Sequence, residues 1–385
     1  MIPLLCLLAA LAGASLLLGW VGYPLALKVL SSRASRPDVK TFSTNSPSGL
    51  SVVVATREDP DVILQRVRNI RESVLGVSSL EVVVGVDRAA PFGLEEYRDR
   101  LGTLARAVPG DLPGGKASNL NAAVRASTQA LLVFTDSAQA FLPDSIARLV
   151  APFADTSVGS VTGTLLFGTA APSAPLLHRF WTYELKLREM ESRLDSVVAV
   201  TGAIYALRRE LWTPLPDGLI CDDLFVPMQV VREGRRVVAA ADSFAVDERR
   251  FSRGQEFRRK VRTLTGMIQF CALCPWALSP RRNRIWVQFV CHKLLRLSTP
   301  YLLVVSLLGA AVCIPTPPWL WIGVAAVGLP LLLVIAVAPK ASRVRQLGAH
   351  LVWAGYLLVA PLAATLNALR GNWDVWTPHR QPPAR

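Results

Sequence analysis

Charge is missing from both ends of this chain and dense in its middle, and that segregation limits what it can fold into. No charged side chain occurs from Met1 to Leu27, none from Leu297 to Pro339, and between Gln346 and Leu369 the only ionisable group is His350. Stretches of this length match the ~20 apolar residues that a membrane-crossing helix needs. Residues 28–296 carry most of the charge and are long enough for one large globular core. The whole chain is 51% hydrophobic and 18% charged, with a mean hydropathy of +0.36, which excludes disorder and a wholly soluble protein.

Residues 4–27 read as an anchor rather than a cleaved leader, because no basic residue precedes a long apolar run. Lys28, Arg33, Arg36 and Lys40 follow it, so the positive-inside rule predicts an outer N-terminus and a cytoplasmic central domain. Pro315, Pro317 and Pro318 divide the second apolar stretch into spans near 299–314 and 319–338, and a last span covers 349–369. The expected organisation is therefore an anchor (1–28), a catalytic domain (40–262), an interfacial segment (263–298), three membrane helices (299–369) and a tail (370–385). Arg370, Arg380 and Arg385 would lie outside, against the rule. If 263–279 crosses instead, the parity reverses.

The central domain alternates strand and helix patterns. Leu50–Thr56, Glu81–Val86 and Leu131–Thr135 are short valine-rich runs of the buried-strand type. Helical patterns cover 61–75 and 115–128. This alternation predicts an α/β domain with a mostly parallel sheet, whose ligands sit beyond the carboxyl ends of the strands. Asp87 and Asp136 fall at such ends, although a turn or cap role accounts for many such residues. Asp222 and Asp223 precede a helix over 224–232, where Asp222 could cap it. Leu176, Phe180, Tyr183, Leu187, Met190 and Leu194 form one apolar helical face, which either covers the sheet or lies on the membrane.

The six cysteines are read as packing residues in a reduced compartment, since the lone Cys271-x-x-Cys274 has no second pair. Gly110-x-x-x-x-Gly115-Lys116 nearly spells a P-loop, but Ala117 lacks the metal-binding hydroxyl. The formal charge of +14 includes Arg249, Arg250, Arg253, Arg258, Arg259, Lys260 and Arg262, either a solvated rim or a phosphate clamp. Phe251 and Phe257 are the only aromatic residues among these cations, too few for a nucleic-acid stacking platform, so nucleic acid is not an expected partner.

In order, these features resemble a membrane-bound family 2 glycosyltransferase, the superfamily of cellulose, hyaluronan and exopolysaccharide synthases. The matching stretches are SVVVATRE, PGGKASNLNAAV, FTDSAQAFLPDSIARLV, VTGAIYALRREL, CDDLFVPMQVVREGRRV, RGQEFRRKVRTLTG and HKLLRLSTPYLL, and the resemblance, taken with the apolar segments, covers nearly the whole chain. The resemblance implies a GT-A (Rossmann-like) domain with transmembrane helices, and inverting transfer from a nucleotide sugar, expected to be a UDP-sugar. It implies Asp87 at the nucleoside, Lys116 beside the donor, and Asp136 as both donor and metal ligand. It implies Arg258, Arg259 and Arg262 at the diphosphate and Thr201 and Gly202 at the acceptor. Asp223 would be the base, with Asp222 beside it in the catalytic pair.

Two departures qualify the match. The second Asp of the family's Asp-x-Asp is Ala138, so a Mg2+ or Mn2+ ion would be weakly held unless the donor's phosphates complete its shell. The polymerases' Gln-x-x-Arg-Trp reads Gln255, Arg258, Arg259, without the Trp that helps hold a growing glucan. The expected acceptor is thus lipid-linked or a glycan in cell-surface glycan assembly, at the inner membrane and alongside a polysaccharide-assembly complex. The alternatives are a non-catalytic scaffold for a synthase and a processive synthase that translocates its product.

Overall fold

The computed structural model describes residues 2–34, 49–74, 79–167, 175–249, 251–313, 355 and 358–373. Helices α1 (Ile2–Leu17) and α2 (Tyr23–Arg33) are joined by a π-helical turn over Leu18–Gly22. The α/β domain then runs β1 (Leu50–Thr56), α3 (Pro60–Glu72), β2 (Leu80–Val86), α4 (Leu94–Leu101), β3 (Arg106–Pro109), α5 (Lys116–Ala126) and β4 (Leu131–Thr135). It continues through β5 (Ala140–Phe141), α6 (Ser145–Val150), β6 (Val158–Phe167), α7 (Pro175–Leu194), β7 (Tyr205–Arg208), α8 (Asp222–Arg232), β8 (Arg236–Asp247) and α9 (Arg253–Leu273). Short helical pieces α10 (Trp286–Gln288) and α11 (Leu295–Leu297) flank a π-helical stretch, followed by α12 (Thr299–Cys313) and α13 (Leu358–Leu369).

The strands form one sheet of eight, in the order β3-β2-β1-β4-β7-β6-β8-β5. The half from β3 to β4 is parallel, as the alternating pattern predicts; β7 pairs antiparallel with both β4 and β6, while β6 and β8 run parallel. β1, β2 and β4 read as unbroken apolar runs because both faces are covered. Val53, Val83 and Leu132 enter one core, while Val52, Val54, Val82, Val84 and Val133 enter the other. The parallel register sets Thr56 beside Val86, and Val54 beside Thr135. Arg57, Asp87 and Asp136 therefore emerge along one edge.

Helix α7 resolves the choice left open for its apolar face. Leu187 is buried with Tyr23, Leu27 and Cys291, against the N-terminal helix and the stretch before α11. Its other side touches the sheet through Trp181 Nε1, which donates to the Leu165 carbonyl at 2.9 Å.

Three features differ from the sequence expectations. The boundary at 262/263 falls inside α9, and Leu264, Met267, Phe270, Ala277, Ile285 and Phe289 are buried in the domain core, while Leu273, Leu278 and Val287 of the same segment are exposed. Asp222 does not cap α8; Cys221 holds the cap position and Asp222 and Asp223 form the first turn. Cys6 is disulfide-bonded rather than a plain packing residue, whereas Cys221, Cys271, Cys274 and Cys291 are free. Among the described residues one helix, Ile2–Arg33, is long and apolar enough to cross a membrane, and Trp286–Leu297 with Thr299–Val312 forms a pair bent by 67°. The span expected at 319–338 lies outside the described residues, as do parts of those expected at 299–314 and 349–369.

Candidate active site

The glycine turn before α5 organises the site. Gly114 and Gly115 adopt φ of 100° and 89°, a region that favours glycine, and the turn sets Lys116 at the first position of α5. The turn is held from below by Asp87. Its Oδ2 accepts from Gly115 N–H and Asn119 Nδ2, both at 2.8 Å, and its Oδ1 accepts from Ala89 N–H at 2.8 Å. Arg57 adds an ion pair at 3.1 Å. Burial alone would raise the Asp87 pKa, but these donors together hold it below its ordinary value. Asp87 is thus a buried clamp for the turn, and the half-exposed Arg57 is the partner nearest solvent.

Lys116 gathers the carboxylates. Its Nζ lies 3.1 Å from Asp136 Oδ1 and 3.1 Å from Asp222 Oδ1. Burial opposes its charge, but Asp136, Asp222 and Asp223 outweigh that and raise its pKa. Asp136 is the open member of the group, with its side chain 39% exposed. Its strand end is fixed by buried Arg66, which donates to Thr135 Oγ1 at 2.6 Å and to the Asp136 carbonyl at 3.4 Å. Asp223 is pushed up to about 6, first by burial and then by the charge of Asp222, against the opposing pull of Lys116, Arg188 and Arg262. A carboxyl that titrates near neutrality suits proton transfer. Thr201 and Gly202 border this group. Thr201 Oγ1 accepts from Arg188 Nη1 at 2.7 Å, and a Cβ on Gly202 would stand 3.8 Å from both Lys116 Nζ and Asp223 Cβ.

Helix α9 closes the other side. Glu256, Arg259, Lys260, Thr263 and Met267 all face the cavity, a spacing that fits one helical face. Arg259 packs over Phe251 at 4.1 Å. Arg258 is one residue out of phase; it is exposed and absent from the cavity lining, unlike Arg259 and Arg262. Ala138 lines the cavity where a second carboxylate was absent from the motif, and the neighbouring Gln139 turns inward to donate to buried Asp247 at 2.9 Å. Among the described residues no three His, Cys, Asp or Glu side chains are grouped to hold a metal ion.

The cavity is large, about 2060 Å³, and extends from Thr56 and Asp87 past the carboxylates to Trp20, Leu358 and Trp373. Sequence reasoning missed Arg57, Asn119 and Arg188 as members of this wall. One signal was present: Glu184, Arg188 and Glu191 recur at helical spacing beside the apolar face of α7. Glu184 and Glu191 flank His292, whose Nε2 and Nδ1 lie 2.9 and 2.8 Å from them. Burial disfavours the Glu184 charge, yet His292, Lys293 and Arg296 hold its pKa well below the usual range.

A Rossmann-like sheet with carboxylates at its strand ends, a glycine turn and a basic helix defines the GT-A class of nucleotide-sugar transferases. The model of the family described as glycosyltransferase like family 2 matches residues 47–266, and the chain belongs to that family. It is a glycosyltransferase of the nucleotide-sugar type. The fold is shared with a mannosyltransferase from Pyrobaculum calidifontis solved with GDP-Man and Mn2+, at 22% identity and a TM-score of 0.68, over 94% of this chain and 99% of that one. Glucosyl-3-phosphoglycerate synthase from Mycobacterium tuberculosis, solved with Mn2+, UDP and glucosyl-3-phosphoglycerate, is more distant: 16% identity and a TM-score of 0.40, over 62% of this chain and 86% of that one. No curated protein matches the chain in sequence.

Proposed function

We propose that the chain transfers a sugar, with inversion, from a nucleoside diphosphate donor (a UDP-sugar) to a hydroxyl of a lipid-linked or glycan acceptor during cell-surface glycan synthesis. The observation that carries this reading is the convergence of Lys116, Asp136, Asp222 and Asp223 at the floor of one cavity. The acceptor hydroxyl attacks the anomeric carbon as its proton passes to Asp223. The bond from that carbon to the diphosphate oxygen breaks, and its electron pair leaves with the nucleoside diphosphate. Asp222 raises the proton affinity of Asp223 and is held by Lys116. Arg259 and Arg262 oppose the charge that builds on the diphosphate. Arg57 and Asp87 stand at the nucleoside end, and Thr201 and Gly202 at the acceptor end.

A divalent cation, Mg2+ or Mn2+, would neutralise the departing diphosphate. Asp136 supplies one half-exposed carboxylate, which is enough for an ion that takes its remaining oxygens from the donor and water. The reading includes an inner-membrane location with the catalytic domain in the cytoplasm. The basic residues after α2 favour it, and a disulfide at Cys6 suits an N-terminus in an oxidising compartment.

The test is release of nucleoside diphosphate by detergent-solubilised protein across a panel of nucleotide sugars. Asp223→Asn should abolish release while donor affinity stays within about twofold, because the amide cannot take the proton. Undiminished turnover would refute the base assignment, and silence across the panel would refute the donor class.

A further inference from the structure

The loop that carries Ala138 in place of a second carboxylate lies against a strand end that supplies a cation. β5 follows that loop directly and pairs antiparallel with the end of β8, Ala140 with Val246 and Phe141 with Ala245. The register therefore brings the loop from Asp136 to Gln139 beside Asp247 and Arg249. Asp247 is fully buried and grips the Arg249 guanidinium: Oδ1 accepts from Nε at 2.9 Å and Oδ2 from Nη2 at 2.8 Å. Gln139 Nε2 donates to the same Oδ2 at 2.9 Å, and the Arg249 N–H donates to Oδ1 at 3.1 Å. A fork held on two nitrogens is fixed in direction before a ligand arrives.

This grip leaves Nη1 with no hydrogen-bond partner among the described residues, and the side chain lines the cavity with 31% of its surface exposed. Burial opposes the Arg249 charge, but Asp247 first, and then the charges of Asp136 and Glu58, outweigh that and raise its pKa. Its neighbours on this wall are cations. Arg259 lies over the same Phe251 ring, at 4.1 Å against 5.2 Å for Arg249. Burial lowers the Arg259 pKa; Glu256, its partner at 3.6 Å, offsets part of this, and the repulsion of Arg249 and Arg262 adds to it. Cations that repel one another around one cavity are relieved by an anion inside it.

We propose that Arg249 is a diphosphate-binding residue of the donor site that supplies directly the positive charge a second metal carboxylate at position 138 would have recruited, so that this chain holds its nucleoside diphosphate without full reliance on a divalent cation. The inference rests on the transferase reading above and deepens its donor site. Asp136 alone offers a cation one carboxylate, while Arg249 meets the phosphate oxygens through Nη1. As the bond to the anomeric carbon breaks and charge builds on the diphosphate, a fixed guanidinium needs no reorganisation to receive it. Gln139 is a positioning residue in this arrangement, because it acts through Asp247.

The full chain in detergent is titrated by calorimetry with UDP and GDP, each in Mn2+ and in EDTA, and with inorganic pyrophosphate in EDTA. The tighter nucleotide should bind in EDTA within about tenfold of its affinity in Mn2+. Arg249→Gln, which keeps a donor for Asp247 and removes the charge, should weaken binding by about tenfold or more in EDTA and by less than about threefold in Mn2+. Arg249→Lys should stay within about threefold in both. Ala138→Asp should reverse the preference, binding about tenfold or more tightly in Mn2+ than in EDTA, and it tests the same exchange if thermal unfolding shows Arg249→Gln to be unfolded. Nucleotide binding that vanishes in EDTA, equal weakening by Arg249→Gln in both media, or an Ala138→Asp protein indifferent to Mn2+ would each overturn the proposal. Nucleotide binding indifferent to Arg249 sinks this inference and leaves the transferase reading standing. Arg249-dependent pyrophosphate binding without nucleotide binding does the opposite: the anion site stands and the nucleotide-sugar donor falls.

Discussion

Lys116→Met should move the acidic limb of the pH–rate profile. As the proposed base, Asp223 would accept a proton only when ionised, so kcat/KM should rise with pH through its folded pKa of about 6. Lys116 is one of the cations that hold that value down. A Cβ on Gly202 would be 3.8 Å from both Lys116 Nζ and Asp223 Cβ, so the two side chains stand close across that glycine. Unit charges about 7 Å apart at an effective dielectric near 20 interact by about 2.4 kcal/mol. That corresponds to about 1.7 pKa units. Water entering the vacated space screens the remaining carboxylates, which leaves a rise of about one unit. The limb should therefore move from about 6 to about 7, and the ionised fraction at pH 7 should fall from about nine-tenths to about one half. The assay is initial-rate release of nucleoside diphosphate from pH 5 to 9, fitted for the limb and not for its height, since Lys116 also lines the proposed donor site. Because Asp222 and Asp223 interact, the limb belongs to the pair. Lys116→Arg should keep it near 6. A Lys116→Met limb at or below 6 would refute the electrostatic account of this site.

Two further substitutions separate neighbours that look alike in sequence. Arg259→Ala should raise the donor KM about tenfold through loss of a charge-assisted contact, whereas Arg258→Ala, on the exposed face of α9, should leave it within about twofold. Gly85→Ala should lower stability by about 1–3 kcal/mol in thermal unfolding, because its Cβ would fall 2.3 Å from the Asn119 carbonyl and push α5 off the sheet.

The parallel half of the sheet was legible because its strands are buried on both faces, which writes them as continuous apolar runs: Leu50–Thr56 and Leu131–Thr135 begin and end where the sequence places them. The antiparallel half was not. β6 reads VGSVTGTLLF, with glycine and hydroxyl residues that turn inward to pair locally, as Ser160 does with the Ala206 carbonyl at 2.8 Å. Such a strand has no clean period. The strand-end aspartates were legible as positions but not as roles. Asp87 differs from Asp136 in being roofed by the glycine turn, a contact across 28 residues that no local pattern carries. Arg258 shows the opposite limit. A run of basic residues states how much charge a helix holds, while the helical turn decides which of them meet the cavity.

The N-terminal helix takes part in the site rather than merely tethering it. Tyr23 donates to Glu191 at 2.5 Å, Glu191 and Glu184 hold His292 between them, and Arg296 pairs with Glu184. Arg296 also donates to Tyr183 at 2.8 Å and lies over Trp20 at 4.8 Å, and Trp20 donates to Thr299 at 3.0 Å. The apolar contacts of Leu27, Leu187 and Cys291 would hold these helices together in many rotations, because apolar attraction has no direction. The polar ladder selects one, since any other would leave buried carboxylates unpaired at a cost of about 3–5 kcal/mol each. In that one arrangement Trp20 forms part of the cavity wall. A plain anchor would need only length and hydropathy. Fixing Trp20 against the cavity that also holds Asp223 requires the ladder, which ties the orientation of the apolar helix to the geometry of the proposed chemistry.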